Sequence, residues 1–318
     1  MPNHEEHQRL HSHEHGHAHG GAGHAHAPRD FGRAFAIGVA LNLAFVGVEA
    51  VFGLAADSLA LLSDAGHNLS DVLGLLLAWA ASALAKSSPT TRRTFGFRST
   101  TILAALFNAL LLLAVTGGIA WEAIGRLVKP VSVQSNTMIW VAAVGVFINA
   151  ATAWMFLSGR KEDLNIRGAF LHLAGDALIS VGVVVAGILI ASTHQLWLDP
   201  VVSLLIGLAI VAGTWGLLRE SVNLLLHAVP AGVDVAEVRA YLEALPSVRE
   251  VHDLHIWAMS TSEIALTAHL VRSGDRVENA LLERACHELR ERFGIGHTTL
   301  QIEADDGHCC DLASDEVV

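Results

Sequence analysis

Six long apolar segments between residues 31 and 228 are the feature that most limits how this chain can fold. An α-helix needs about 20 residues to cross the hydrocarbon core of a bilayer, and apolar segments of that length lie near 31–54, 58–85, 99–126, 135–158, 166–192 and 197–226. Across the sequence 52% of residues are hydrophobic and 16% are charged, whereas a soluble domain has roughly 25% charged residues. The sequence therefore predicts a membrane α-helical protein with six transmembrane helices.

Basic residues between these segments predict the orientation in the membrane. Six spans leave both termini on the same side. The ends on the opposite side carry the basic residues Arg126 and Lys129, whereas the ends on the side of the termini carry Arg29, Arg33, Lys86, Arg92, Arg93, Arg98, Arg160, Lys161, Arg167 and Arg219. Because segments rich in Lys and Arg stay in the cytoplasm, we expect both termini to be cytoplasmic.

The sequence divides into four parts, and most of the net negative charge lies in the last two of them. We expect a histidine-rich cytoplasmic tail (1–30), a transmembrane domain (31–228), a cytoplasmic domain (229–305) and a C-terminal tail (306–318). Residues 229–318 contain 7 basic and 17 acidic residues, which accounts for most of the net charge of -11. A chain with this charge is not expected to bind nucleic acid.

The part from 229 to 305 has the pattern of a small α+β domain. Its sequence predicts a helix, two strands, a second helix and a third strand, over Val233–Leu245, Val248–Met259, Ile264–Val271, Arg276–Phe293 and Thr298–Glu303. This αββαβ order predicts a two-layer, ferredoxin-like domain.

Two matched pairs of ionisable residues lie inside the predicted spans. In the second span His67 precedes Asp71 by four residues, and in the fifth His172 precedes Asp176 by four. Side chains four residues apart lie on one face of a helix, one turn apart. If the two faces meet, two imidazoles and two carboxylates converge, a ligand set that suits tetrahedral zinc. Any one of these residues could instead form a hydrogen bond between helices, but a repeated spacing favours a site.

One further acid lies near the first pair. Asp64 precedes His67 by about one turn. It could accept a hydrogen bond from the imidazole or lie on a metal path, but we interpret it as a helix-end residue.

Four motifs make the sequence similar to the cation diffusion facilitator family, in particular to its bacterial zinc, cobalt and cadmium exporters. They are Asp57 to His67 (DSLALLSDAGH), Arg93 to Arg98 (RTFGFR), His172 to Asp176 (HLAGD) and His252 to Trp257 (HDLHIW). The resemblance implies a homodimer in the bacterial cell (inner) membrane. It also implies one transport site per protomer between the second and fifth spans, with His67, Asp71, His172 and Asp176 as ligands.

The resemblance and the donor chemistry together indicate the transported ion. Family members with Asp at the second-span His position tolerate cadmium or, with further changes, manganese, so His67 indicates zinc, in agreement with the preference of imidazole for zinc over harder ions. Some members bind a second metal in the loop after the second span. The corresponding residues Lys86 to Arg98 contain no His or Asp, and we predict no metal there.

Ligand protonation predicts the mode of transport. A histidine must be neutral to bind a metal, and imidazole titrates near neutral pH. We therefore expect zinc efflux from the cytoplasm by proton antiport, with protons as the counter-ion. The alternatives are a cobalt or cadmium exporter of the same class, a metal uptake carrier, a membrane metallohydrolase or a metal sensor. The spans lack a catalytic Glu or Ser beside the pairs, which argues against an enzyme.

Other candidate ligands lie outside the spans. The resemblance implies a regulatory zinc site at His252, His269 and Glu303, which come from three predicted strands. Cys309 and Cys310 are candidate ligands, although adjacent cysteines rarely bind one metal with good geometry. The tail contains nine of the 19 histidines, at His4, His7, His11, His13, His15, His17, His19, His24 and His26. We expect it to capture metal loosely.

Overall fold

The computed structural model of the chain describes residues 31–157, 164–273 and 279–304, with side chains from residue 40 in the first stretch and from residue 170 in the second. The histidine-rich tail and the candidates Cys309 and Cys310 lie outside the described residues.

Six helices form the first part of the chain. They are α1 (Phe31–Ala55), α2 (Leu59–Ala85), α3 (Thr100–Val128), α4 (Ser135–Phe156), α5 (Leu164–Thr193) and α6 (Leu198–Leu225). Helices α2, α3, α4 and α6, and α5 from Phe170, are long and apolar enough to cross a membrane, whereas the part of α1 with described side chains, Ala40–Ala55, is apolar but shorter. The chain is therefore a multi-pass membrane protein, and five of the six predicted spans meet this criterion.

The outer surface of these helices is apolar. Trp79, Trp121, Phe147, Trp154 and Leu178 are each more than 70% exposed. Large apolar side chains facing outward on several helices indicate a surface that contacts lipid or another apolar surface. The buried interior near the starts of α2, α4 and α6 and the end of α5 is packed with Ala60, Leu61, Leu112, Met138, Ala142, Val183, Ala186, Ile190, Ile206 and Ile210.

A buried carboxylate joins the start of α2 to the start of α6. Asp199 is fully buried. It accepts hydrogen bonds from the Ser58 hydroxyl (2.7 Å) and from the backbone N–H groups of Leu59 (2.8 Å) and Ala60 (3.2 Å). The first N–H groups of a helix lack partners within the helix, and a negative charge there is favourable. Asp199 thus fixes the first turn of α2 against α6.

The second part of the chain is a helix-and-sheet domain. It comprises α7 (Val235–Glu243), β1 (Val248–Ala258), β2 (Ile264–Arg272), α8 (Asn279–Phe293) and β3 (Ile295–Ala304), in the order that the sequence predicts. β2 is the central strand, antiparallel to β1 and parallel to β3. Strand β3 begins three residues earlier than predicted because Ile295 is fully buried against β2 and belongs to the domain core.

The two parts touch where the segment before α3 meets the β1–β2 turn. The Arg98 guanidinium pairs with the Glu263 carboxylate at 2.8 Å. The Ser99 hydroxyl donates to the Met259 carbonyl, and the Thr261 N–H donates to the Thr101 hydroxyl. The α+β domain is thereby attached to the start of α3, beside the loop that follows α2.

Candidate metal centres

The four intramembrane residues predicted as ligands form a closed ring between α2 and α5. His67 Nε2 lies 3.6 Å from Asp71 Oδ2 and 3.6 Å from Asp176 Oδ1. His172 Nε2 lies 3.2 Å from Asp71 Oδ2 and 3.5 Å from Asp176 Oδ2. Imidazole and carboxylate therefore alternate around the ring, and each nitrogen faces two oxygens.

Three of the four residues form a compact ligand set, and Asp71 contacts the two histidines of that set. Ligand atoms about 2.0–2.2 Å from a tetrahedral zinc ion lie roughly 3.4 Å from one another. The four measured contacts span 3.2–3.6 Å, and donor atoms of His67, His172 and Asp176 all lie within 4.8 Å of one another. Asp71 Oδ2 is buried without a hydrogen bond in the described part of the chain. An oxygen in that state, beside two imidazole nitrogens, suits a cation.

Burial around the ring is uneven. Its Asp176 side chain is 4% exposed, whereas that of His172 is 48% exposed. On α2 most residues from Leu59 to Ser70 are buried, whereas none from Asp71 to Trp79 is buried. The packing around the ring is therefore denser toward the start of α2 than toward its end, the side on which the α+β domain lies.

The structure corrects the interpretation of Asp64 as a helix-end residue. Asp64 is fully buried within α2. Its carboxylate accepts hydrogen bonds from the Ser180 hydroxyl at 2.9 Å and from the Asn68 amide at 3.3 Å. Because Ser180 belongs to α5 and Asn68 to α2, the Ser180 contact alone joins the two helices, on the side of the ring toward the start of α2.

A second buried acid was missed by the sequence reasoning. Glu49 on α1 is fully buried and lies beside the Asp64 carboxyl and the Asn68 amide. Glu49 is the only charged residue in Ala40–Ala55. The rule that an ionisable residue inside a span is a functional candidate could have identified it.

The three residues predicted as cytoplasmic ligands also converge. The Glu303 carboxylate lies 2.9 Å from His269 Nδ1 and 3.3 Å from His252 Nε2, and donor atoms of the three all lie within 4.8 Å of one another. His252 and His269 are direct partners in the β1–β2 register, and their rings meet edge to face with centroids 5.2 Å apart. Both His252 nitrogens are buried without a hydrogen bond. The cluster therefore has the donors and the unsatisfied atoms that a metal ion would use.

Two residues beside this cluster extend it. Asp253 has a φ of 50° at an irregularity in the β1–β2 register. Its carboxylate contacts His255 Nε2 at 2.8 Å and His269 Nε2 at 3.4 Å. An Asp in the left-handed region is uncommon and marks a local constraint. The irregular backbone places Asp253 in contact with His269, a placement that strand alternation did not predict.

Two other histidines of the α+β domain stay outside the cluster. His287 is exposed on α8, and His297 is exposed on β3. The His297 ring instead meets the Phe95 ring, with centroids 5.6 Å apart. His297 thus contributes to the junction between the two parts of the chain.

Comparison with known proteins places the chain in a family. Residues 35–226 match the family described as cation efflux transmembrane domain, and residues 230–305 match cation efflux protein, cytoplasmic domain. Together these matches cover most of the chain. The protein belongs to the cation diffusion facilitator family of metal exporters, and it is a transporter rather than an enzyme.

Individual relatives are similar over most of their length. The chain is 42% identical to the metal cation efflux system protein CzcD of Cupriavidus metallidurans over 85% of this chain and 86% of that protein. It is 38% identical to the zinc transporter ZitB of Escherichia coli over 89% and 90%. It is 36% identical to a cadmium, cobalt and zinc/H(+)-K(+) antiporter of Bacillus subtilis over 81% and 84%.

Proposed function

We propose that this exporter moves zinc out of the cytoplasm in exchange for protons, with His67, Asp71, His172 and Asp176 as the transport ligands. The observation that carries the proposal is the ring of alternating imidazoles and carboxylates, with contacts of 3.2–3.6 Å inside a membrane domain. Ionisable groups in a membrane interior are costly, and a cation that binds all four recovers that cost.

The donor types favour zinc. Two nitrogens and two oxygens are a donor set that tetrahedral zinc accepts, and magnesium or manganese prefers more oxygens. The Escherichia coli relative is named a zinc transporter, and the Bacillus subtilis relative is named for cadmium, cobalt and zinc. Cobalt and cadmium are therefore the alternative substrates of the same site.

Proton exchange follows from the ligands. Each imidazole must be neutral to bind zinc and can take a proton when zinc leaves. In the ring each imidazole nitrogen faces two carboxylate oxygens, which stabilise the imidazolium when zinc is absent. Zinc and protons thus compete for the same atoms. The Bacillus subtilis relative is also named as an antiporter that uses protons.

The uneven packing around the ring supports an alternating-access cycle. With the α+β domain in the cytoplasm, the buried core around Leu61, Val183 and Ile206 lies on the outer side of the ring. Release to the outside requires that core to open while the other side closes, as in secondary transporters with a site inside the bundle.

The remaining features of the proposal concern topology and assembly. The apolar helix α1 is the sixth span, both termini are cytoplasmic, and the protein is a homodimer in the inner membrane, surrounded by lipid. The match of residues 35–226 to the transmembrane family supports inclusion of α1. The basic residues of the loop after α2, which lies beside the α+β domain, support the orientation.

The cytoplasmic cluster is proposed as a regulatory zinc site. His252, His269 and Glu303 would hold the ion, which would neutralise the Glu303 carboxylate and give a ligand bond to His252, whose two nitrogens have no hydrogen bond among the described residues. The contact of Glu303 with both imidazoles keeps the strands β1, β2 and β3 in one arrangement. This residue set lies apart from the transport ligands and has no role in carrying the ion.

Flux through purified protein in liposomes tests the transport proposal. Zinc, cadmium, cobalt and manganese are compared in vesicles with an imposed pH gradient, for the original protein and for His67→Ala and Asp176→Ala. The expected result is zinc flux that depends on the gradient and is lost in both variants, whereas His287→Ala, an exposed histidine on α8, retains it. Full zinc flux in both site variants would show that the ring is not the transport site.

A further inference from the structure

His67 has one nitrogen that the ring does not use. Its Nε2 faces Asp71 and Asp176, whereas its Nδ1 is buried and has no hydrogen bond among the described residues. The two nitrogens of an imidazole point in widely different directions, so Nδ1 is turned away from the other ligands. A buried polar atom without a partner is costly, and a histidine that binds a metal almost always donates its other N–H to an acceptor. That acceptor must lie outside the ring.

His67 also lines a small cavity between α2, α3 and α6, whereas the other half of the ring comes from α5. The other polar residues of the lining are Ser63 of α2, Thr116 of α3 and Ser203 of α6, and the rest are glycines and aliphatic residues. All three are buried. The Ser63 and Ser203 hydroxyls are hydrogen-bonded to each other at 2.6 Å. A hydroxyl has one donor hydrogen and two acceptor lone pairs, so each serine can accept from a further partner.

The cavity has the size of one water molecule. The volume open to the centre of a water is about 10 Å³, and one buried water needs about 10–15 Å³ with two to four polar partners. Two glycines leave this space. A Cβ on Gly207 would lie 3.2 Å from Thr116 Cγ2, and a Cβ on Gly66 would lie 3.2 Å from Val115 Cγ1, both closer than an ordinary van der Waals contact. Larger residues at these positions would fill the cavity.

The lining favours water over a metal ion. The described residues around the cavity include no carboxylate, and the hydroxyls are neutral. In the proposed transport cycle His67 is either bound to a divalent ion through Nε2 or protonated, and both states repel a further cation. In both states Nδ1 carries a hydrogen. A water can accept that hydrogen and donate its own to hydroxyl oxygens, which satisfies both sides of the cavity.

We propose that the cavity is a binding site for one water molecule, which accepts the Nδ1–H of His67 and donates to the hydroxyl pair of Ser63 and Ser203. The two serines are positioning residues, because they hold the water and the water keeps the imidazole with Nε2 turned to the ring. The state that this water disfavours is the neutral tautomer with its hydrogen on Nε2, which cannot bind a metal there. The effect on zinc rests on the proposed transport site, whereas the water contact does not.

Nuclear magnetic resonance of the full-length protein in detergent tests the water directly. The histidines are labelled with isotopic nitrogen, and the Nδ1–H signal of His67 is identified by its loss in His67→Ala. We expect this hydrogen to show cross-relaxation with a long-lived bound water, both with and without zinc. Absence of that cross-relaxation in the original protein would overturn the proposal. Because the measurement does not depend on flux, it judges the water even if the ring proves not to be the transport site.

Two variants remove the water by different routes. Ser63→Ala combined with Ser203→Ala leaves an apolar cavity, which stays dry. Gly207→Ala fills the cavity with a methyl group and keeps both hydroxyls. We expect the cross-relaxation to vanish in both variants and the zinc affinity, measured by titration, to fall about tenfold, as when a supporting contact to a metal ligand is lost. The number of zinc ions bound should stay the same.

Each variant has a matched control on α6. Ser221→Ala removes a buried serine that does not line this cavity, and Gly213→Ala adds a methyl group at a position with open space around it. Both controls should keep the water signal and a zinc affinity within about twofold of the original. The proposal is wrong if the signal persists in both cavity variants, if both retain the original affinity, or if the controls lose as much affinity as they do.

Discussion

The two histidine and carboxylate clusters of this chain contain the same types of side chain, but helices hold one cluster and paired β-strands hold the other. In the membrane domain the four side chains come from two helices, α2 and α5, which share no backbone hydrogen bonds. In the α+β domain the three side chains come from adjacent strands, and the β1–β2 and β2–β3 ladders fix their spacing. Helices can shift relative to each other at low cost, whereas strands separate only if ladder hydrogen bonds break. The first arrangement suits a metal that must leave, and the second suits one that must stay.

Exposure differs in the same sense. The His172 side chain in the ring is 48% exposed, whereas the His252 and His269 side chains are 4% and 11% exposed. A buried ligand exchanges its ion slowly because solvent cannot assist departure, whereas a half-exposed one gives an ion a path. The following experiments test this contrast between a transport cluster and a retained cluster, from the largest expected effect to the smallest.

Loss of one ring ligand should have the largest effect. His172→Ala removes the nitrogen that contacts both Asp71 and Asp176 and leaves two carboxylates facing each other. We expect zinc flux in liposomes to fall by at least about 100-fold, since even loss of a supporting contact to a metal ligand costs 10–100-fold. His287→Ala is the matched control. Flux within twofold of the original in both variants would contradict the assignment of the ring.

A change of donor type in the ring should alter selectivity rather than abolish transport. His67→Asp replaces nitrogen with oxygen, which reduces the preference for zinc. We expect the ratio of cadmium to zinc flux to rise roughly tenfold, equivalent to about 1.4 kcal/mol. The same ratio measured for His269→Asp should stay unchanged, because that residue is not on the transport path.

Loss of a cytoplasmic ligand should change binding and regulation but not the maximal rate. His269→Ala is expected to remove one bound zinc per protomer, as counted by titration of the full-length protein. If metal at this cluster favours the transporting state, the zinc concentration for half-maximal flux should rise about fivefold, a typical coupling between two sites. A variant that binds as much zinc as the original would show that the cluster holds no ion.

The smallest effect is expected at the junction. Glu263→Gln breaks the 2.8 Å contact with Arg98, in which both side chains are more than a third exposed. Such pairs contribute about 0.2–1 kcal/mol, so the thermal stability should change little. If the junction only transmits the effect of metal at the cytoplasmic cluster, adding Glu263→Gln to His269→Ala should not change the zinc concentration for half-maximal flux any further. Glu250→Gln, at an exposed glutamate of β1, is the control for Glu263→Gln. An additional shift in that background would mean that the junction acts independently of the cytoplasmic cluster.

The sequence predicted most of what depends on local spacing. The apolar segments marked the helices, and the four-residue separation of His67 from Asp71 and of His172 from Asp176 placed each pair on one face. The repeated spacing alone led us to expect that the two helix faces meet, and in the structure the four side chains of α2 and α5 lie 3.2–3.6 Å from their neighbours in the ring. The cytoplasmic trio was suggested by resemblance, and its convergence depends on strand register that no short-range pattern contains.

The features that the sequence did not predict arise from contacts between distant segments. Glu49 and Asp64 belong to different helices and become a pair only when α1 packs on α2. The burial of Asp64 depends likewise on Ser180, which lies more than 100 residues away along the chain. The contact of Asp253 with His269 depends on a left-handed residue within a strand. A regular alternation of side chains would have directed Asp253 and His252 to opposite faces.

The attachment of α2 to Asp199 has a mechanical consequence. Helix α2 is held at its first turn and rises about 1.5 Å per residue, so His67 lies roughly 12 Å and Ala85 roughly 39 Å from the fixed end. If the helix tilts about that end, a displacement at Ala85 is reduced about threefold at His67. A movement of about 3 Å near the α+β domain would thus shift the imidazole by about 1 Å, which is enough to distort a tetrahedral ligand set. The attachment at Asp199 thus makes α2 pivot about its first turn, so that a large displacement near Ala85 becomes a small displacement at the ligands.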